Sequence, residues 1–186
     1  KTFKVYSNEI QNRFDPKYYD PDRLGLLDKI RRLSKDSHFR VCDLEHLVDF
    51  KTSAFYESIA QTYAKIGTPF VRVMDVKVLR IGRSNLVYLP SGTQTRDGRI
   101  SSLKSGDIVI TKGGTVGTVA LIPSFMKECL ISRDVIGAVS KGVAKPQYIA
   151  TFLASTSGQV QMQSVKTQQN QPHLTIDPLK KVKVLV

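Results

Sequence analysis

From Pro69 to Val139 the chain reads as a succession of short strands, and this texture constrains the fold more than any other feature. "FVRVMDV" alternates, which assigns Val71, Val73 and Asp75 to one face and Arg72, Met74 and Val76 to the other. "NLVYL", "GDIVIT", "TVALIP" and "CLISRDVIGAV" supply four further strands. "RIGRSN" and "SGTQTRDGRI" are loops by their Gly, Ser and Asn content.

Helical patterns flank the strands. In "DPDRLGLLDKIRRL", Asp20 is a suitable N-cap and Pro21 a suitable first helical residue. Leu24, Leu27, Ile30 and Leu33 form an apolar stripe, so a helix is expected from Pro21 to Leu33. "HFRVCDL" reads as a strand. "SAFYESIAQTYAKIG" places Phe55, Ile59, Tyr63 and Ile66 at near-helical spacing, with Gly67 as the expected C-cap. Helix returns at "KPQYIATFLAST", where Tyr148, Ile149, Phe152 and Leu153 form the apolar face, and "SGQVQMQSV" continues or restarts it. "TQQNQPHLTIDP" is loop and "KVKVLV" a final alternating strand. The expected organisation is one domain over 1–186: a helical lead-in (1–36), a mainly strand region (37–144), a helical segment (145–166), then loop and final strand (167–186). The expected class is α+β, a twisted mixed β-sheet or partly open barrel with flanking helices.

Composition narrows the function. No apolar run approaches the roughly 20 residues of a membrane helix, and "KTFKVYSNEI" has no apolar signal core. A cytoplasmic protein without membrane contact is expected. Cys42 and Cys129 lie far apart without ligand helpers at short spacing, so two reduced buried thiols are expected and no metal site. The net charge is +12, with a pI near 9.8. An excess of that size bears on partners, and nucleic acid is the commonest polyanion a basic domain meets.

The catalytic motifs fail. "GDIVITKGGTVG" resembles a phosphate loop in composition only: Lys112 precedes the glycines, and the apolar "TVALIP" that follows reads as a strand. The helix N-terminus that would bind phosphate is missing. Lys112-Gly113-Gly114-Thr115 reads instead as a hairpin turn, with Gly117 as a bulge or a close backbone approach. No Asn- or Asp-Pro-Pro-aromatic methyltransferase motif, no Asp…Glu-x-Lys nuclease pattern and no Ser-His-Asp arrangement appears, and His38, His46 and His173 read as surface or hydrogen-bonded structural residues. No catalytic residue and no cofactor is assigned.

The ordered set "LKSGDIVITKGGTVGTVALIP", "CLISRDVIGAV", "PQYIATFLASTSGQVQMQSV" and "QPHLTIDPLKKVKVLV" resembles the target recognition domain of the specificity subunit of type I restriction-modification enzymes. "YAKIGTPFVRVMDV" and "RFDPKYYDP" are similar to upstream parts of such domains. The resemblance implies a non-catalytic fold of the target-recognition-domain type. It implies binding to double-stranded DNA, reading one half of a bipartite target. The implied partners are a DNA methyltransferase (modification) subunit and a restriction subunit. The alternative is the recognition part of a fused restriction-methylation enzyme whose catalytic domain lies outside this chain. A cofactor-dependent small-molecule enzyme is the third reading, which specific duplex binding would exclude. Full specificity subunits usually carry two such domains separated by long helices, whereas one domain is seen here. The chain is expected to be a piece of such a subunit, or a half-subunit that pairs with itself.

Affinity for nucleic acid comes mostly from Lys and Arg at phosphates, and specificity from side chains that reach base edges. The strand region supplies Lys77, Arg80, Arg83, Arg96, Arg99, Lys104 and Lys112 with few acids between them. Arg80 and Arg83 sit in a Gly- and Ser-bearing loop. "KTQQNQPH" supplies Lys166, and Gln168, Gln169 and Asn170 as amides able to pair with adenine. The resemblance makes His173 architectural. Tyr63 and Lys65 form a third candidate. The competing readings are a solvated loop face for the cations and a polar turn before Pro172 for the amides.

Overall fold

The computed structural model describes residue 4 and residues 16–36, 39–54, 62–93, 99–165 and 172–186. A 3-10 turn at Pro16–Tyr19 leads into α1 (Pro21–Asp36). Asp20 caps it: the side-chain Oδ1 accepts the Asp22 N–H at 2.9 Å. The stripe on α1 is narrower than its spacing suggested. Ile30 is buried, but Leu24 and Leu33 are 40% and 43% exposed. At roughly 100° per residue, a spacing of three drifts around the helix and puts Leu24 and Leu33 on opposite sides.

The chain continues through β1 (Val41–Asp43), α2 (Leu44–Leu47), β2 (Val48–Thr52), β3 (Thr68–Val71), β4 (Val76–Lys77), β5 (Arg80–Ile81) and β6 (Val87–Leu89). Then come β7 (Ser102–Lys104), β8 (Ile108–Thr111), β9 (Val119–Leu121), β10 (Glu128–Ile131) and β11 (Val135–Ser140). Helices α3 (Pro146–Ala154), α4 (Thr156–Val165) and α5 (Ile176–Lys180) precede β12 (Lys183–Leu185). One antiparallel sheet has the order β2-β11-β8-β9. A second, mixed sheet has the order β6-β3-β10-β7, with β3 and β10 parallel. β1 pairs with β12, and β4 with β5. The α+β class with mixed pairing and flanking helices holds, and no closed barrel forms among the described residues.

Strand β8 explains why its sequence is apolar without alternation. Ile108 and Ile110 pack with Ile136 and Ala138 of β11 against Ile149, Leu153 and Met162 of α3 and α4. Val109, on the other face, packs with Leu103, Cys129 and Ile131 from the second sheet. A strand covered on both sides has no polar face to show. Burying a Val or Ile side chain contributes roughly 1.5–3 kcal/mol, so each residue of this layer adds substantially to the stability of the domain.

Several expectations are corrected. "FVRVMDV" is not one alternating strand. It leaves β3 at Val71, makes a 3-10 turn at Val73–Asp75 and enters β4, so Asp75 and Val76 are both buried while Met74 is 56% exposed. "CLISRDVIGAV" is two strands, β10 and β11, which belong to different sheets. Part of "TIDP" forms α5 rather than loop. "HFRVCDL" is a strand only at β1, because its last residue opens α2. Cys129 is buried but Cys42 only half-buried, and both are free. Residues 55–61 lie outside the described residues, and the end of the helix expected there is not helical. Ala64 bridges to Tyr88, and Gly67, at φ +152°, lies where a Cβ would come within 2.1 Å of the Leu89 carbonyl oxygen. Gly67 thus serves a close approach of two backbones, not a helix cap.

Candidate nucleic-acid interface

Three connections meet on one side of the two sheets: the segment from Val73 through the β4–β5 hairpin, the β8–β9 connection, and the Ser132–Asp134 turn between β10 and β11. A cleft of about 610 Å³ opens between them, with Phe70, Val76 and Ile131 in its wall and Arg72, Lys77 and Arg133 at its edge. A smaller hollow of about 410 Å³ adjoins it at Val73, Arg133 and Asp134, and reaches Gly113, Gly114 and His173.

The hairpin is anchored by an ion pair. The Arg72 Nε and Nη2 donate to Asp75 Oδ2 and Oδ1 at 3.0 and 3.1 Å, and Nη2 also donates to the Asn85 carbonyl at 2.6 Å. The Arg72 backbone N–H donates to Asp75 Oδ2 at 2.9 Å. Asp75 is 3% exposed, and its carboxylate holds the Arg72 guanidinium above its ordinary pKa. This fork-on-fork geometry fixes the turn that launches β4. Gly82 N–H donates back to the Asp75 carbonyl at 2.7 Å and closes the hairpin base. In the hairpin, Lys77 faces Arg80 across the strands, and Val78 and Leu79 make the turn. Leu79 has φ +58°, the one positive-φ non-glycine residue among the described residues. Its N–H donates to the Val119 carbonyl of β9 at 2.8 Å.

The β8–β9 connection carries the glycines. Gly117 N–H donates to the Thr111 carbonyl at 2.9 Å, and Thr118 N–H to Thr111 Oγ1 at 2.8 Å. Gly114 has φ +63°, and a Cβ there would lie 3.2 Å from Val73 Cγ1. The glycines therefore shape a hairpin connection, and a strand follows them, as expected. Lys112 N–H donates to the Asp134 carbonyl at 2.8 Å, and the Lys112 carbonyl accepts the Leu174 N–H at 2.9 Å. His173 packs its ring against Gly113, a structural placement.

The expected residues separate clearly. Lys77, Arg80 and Arg83 are exposed together on and beside the hairpin, and Lys112 is half-buried in the neighbouring connection. The Arg83 guanidinium lies over the Phe125 ring, 3.9 Å from its centroid. Lys65 is exposed beyond Tyr63, which lines the cleft. Arg99 is exposed beside Ile100, another lining residue, and its carbonyl accepts the Ala54 N–H. Lys104 lies apart on β7, opposite Glu128. Arg96, Lys166, Gln168, Gln169 and Asn170 lie outside the described residues. Arg72 and Arg133 were missed. The signal for Arg133 was the polar Ser-Arg-Asp break inside an apolar run, which marks a turn. Arg72 had no signal, since alternation hid the turn that uses it.

No group of three or more His, Cys, Asp or Glu among the described residues is placed to hold a metal ion. Burial, with help from Asp107 and Glu128, pushes the Cys129 thiol up to about 12, so it stays protonated near neutrality. Among the described residues, no helix is long and apolar enough to cross a membrane. What the face offers is exposed ammonium and guanidinium groups on turns, a surface suited to anions.

Against solved structures, the chain is similar to a chain from a study of complex assembly and conformational transition in a type I restriction-modification system, with TM-score 0.60 and 15% identity over 89% of this chain and 45% of that one. It is similar to the specificity subunit of a type I restriction-modification system from M. genitalium, with TM-score 0.55 and 12% identity over 83% of this chain and 36% of that one. It is also similar to the HsdS subunit from Thermoanaerobacter tengcongensis, with TM-score 0.55 and 13% identity over 89% and 40%. The chain thus has the fold of part of these proteins and spans less than half of their length. No family model matches the sequence, and no curated protein matches it.

Proposed function

We propose that this domain is a non-catalytic module that recognises a DNA sequence, reading one half of a bipartite target within a type I restriction-modification complex. Its partners in that reading are double-stranded DNA, a methyltransferase subunit and a restriction subunit. The observation that carries the reading is the clustering of Lys77, Arg80 and Arg83 on and beside an exposed hairpin of a chain with net charge +12. The fold shared with specificity subunits supports it. Cations on turns outside a rigid two-sheet frame position a duplex through its phosphates, which leaves sequence to be read by neighbouring side chains. Gln168, Gln169 and Asn170 remain the proposed adenine readers, with Lys65, Arg96, Arg99, Lys112 and Lys166 as further contacts.

The test is a titration of this chain against a duplex selected from a random pool and against a scrambled duplex, at two salt concentrations. Selective binding is expected, and its affinity should fall with a log–log salt slope of about 0.9 per phosphate neutralised. Arg83→Ala should weaken binding to both duplexes equally and flatten the slope by about one contact. Gln169→Ala should cost about 1–3 kcal/mol on the selected duplex and little on the scrambled one. Equal affinity for all duplexes, or indifference to salt, would remove the reading.

A further inference from the structure

The β4–β5 hairpin carries three features that set it apart from an ordinary surface turn. The first is charge: Lys77 and Arg80 face each other across the two strands, both exposed. Like charges directly opposite one another in a ladder destabilise it. The second is backbone: Leu79 holds φ +58°, a conformation for which Gly or Asn is the usual choice. The third is exposure: Val78 and Leu79 are 68% and 44% exposed at the tip, although Val76 and Ile81 at the base are buried. A hairpin selected for stability alone would carry Gly or Asn at the turn and opposite charges beside it. The paired cations and the uncovered apolar tip become favourable if the tip sits in a groove walled by phosphates.

We propose that this hairpin enters the major groove of duplex DNA. In that pose Val78 and Leu79 lie against thymine methyl groups, and Lys77 and Arg80 each take a phosphate on either wall. The inference rests on the DNA-recognition reading above and names the element and the chemistry that carry it out. The major groove is wide enough for a two-stranded ribbon, and thymine C5-methyl is the apolar group it displays. Among the described residues no acid forms an ion pair with Lys77 or Arg80, and the phosphates supply that anion. The hairpin is also held firmly enough to enter a groove without collapsing, because the Arg72–Asp75 pair locks its base and the Leu79 N–H is tied to β9. Phe125 under Arg83 extends the same basic and apolar surface.

The experiment selects a binding site from a random duplex pool with this chain, then replaces each thymine of that site with uracil, which removes only the C5-methyl. At one or two positions the replacement should weaken binding about four-fold, the effect of losing one buried methyl-sized group. Leu79→Asn relieves the backbone strain, so its thermal midpoint should hold or rise. This variant should lose a similar factor on the thymine duplex and no longer distinguish thymine from uracil at that position. Val78→Thr, close in shape, guards against a repacked tip and should show a smaller loss of the same kind. Selective binding that ignores both uracil and Leu79→Asn overturns the hairpin proposal and leaves the recognition reading intact. A loss on Leu79→Asn that is blind to uracil and accompanied by reduced DNA bending marks a minor-groove wedge instead, and also overturns it. Absence of any duplex binding overturns both.

Discussion

Strand β8 and the β4–β5 hairpin are made of the same kinds of residue and use them in opposite ways. Ile108, Val109 and Ile110 are fully buried between two layers. Val78 and Leu79 face outward beside two cations. The first arrangement gains stability from every methyl group; the second gives some of it up at an exposed tip. The difference teaches where to look for function here: not where apolar residues are, but where they are left uncovered.

The comparison can be broken at its strong end first. Ile136→Ala on β11 removes a fully buried side chain beside β8 and should cost about 2–5 kcal/mol in a denaturant melt. Below its midpoint the variant should bind DNA as before. A loss under about 1 kcal/mol would mean that the two-layer core is not the source of stability.

The joint between frame and hairpin comes next. Arg72→Met leaves the buried Asp75 carboxylate without its fork and should cost about 2–3 kcal/mol. Because Asp75 sits at the base of the hairpin, DNA affinity should fall as well. A variant of normal stability and normal affinity would show that the hairpin needs no anchor.

At the hairpin itself the sign should reverse. The Lys77→Ala, Arg80→Ala pair removes a like-charge opposition and should leave stability unchanged or raise it by about 0.2–1 kcal/mol. Binding to every duplex should weaken, and the salt slope should fall by about two contacts. A destabilised double variant would mean that these cations serve the fold.

The smallest effect belongs to the surface of the frame. Lys181, hydrogen-bonded to Glu45, holds that carboxyl below its ordinary value. A carboxyl depressed on folding adds stability above its ordinary range, and that stability is lost as pH falls through the depressed value. Glu45→Gln should flatten this part of an acid titration of stability and leave DNA binding untouched.

Much of the frame was legible because burial writes itself into periodicity. Pro146 and the apolar face after it marked α3, and the apolar run of "GDIVIT" marked the strand that is β8. Sheet membership was not legible: the two halves of "CLISRDVIGAV" serve different sheets, and local alternation holds no record of which partner a strand will find. The same blindness hid Arg72, whose role depends on a turn that reads as a strand. Lys77, Arg80 and Arg83 were legible as cations, but "RIGRSN" is not wholly loop, since Arg80 and Ile81 form β5. The position of these cations around one hairpin was not legible, because Val78 and Leu79 make a two-residue turn without the Gly or Asn that would mark it.

The three connections around the cleft are tied together chiefly through main-chain atoms. Ser132 N–H meets the Val71 carbonyl, Lys112 N–H the Asp134 carbonyl, Leu174 N–H the Lys112 carbonyl, and Leu79 N–H the Val119 carbonyl. Every amino acid except proline brings the same N–H and C=O to such ties. Side chains at Lys77, Val78, Arg80, Arg83 or Arg133 can therefore be exchanged without rewriting the joints that hold them in place. In evolutionary terms the domain separates its grammar from its vocabulary. Side chains at the rim can change one at a time while these main-chain ties stay in place.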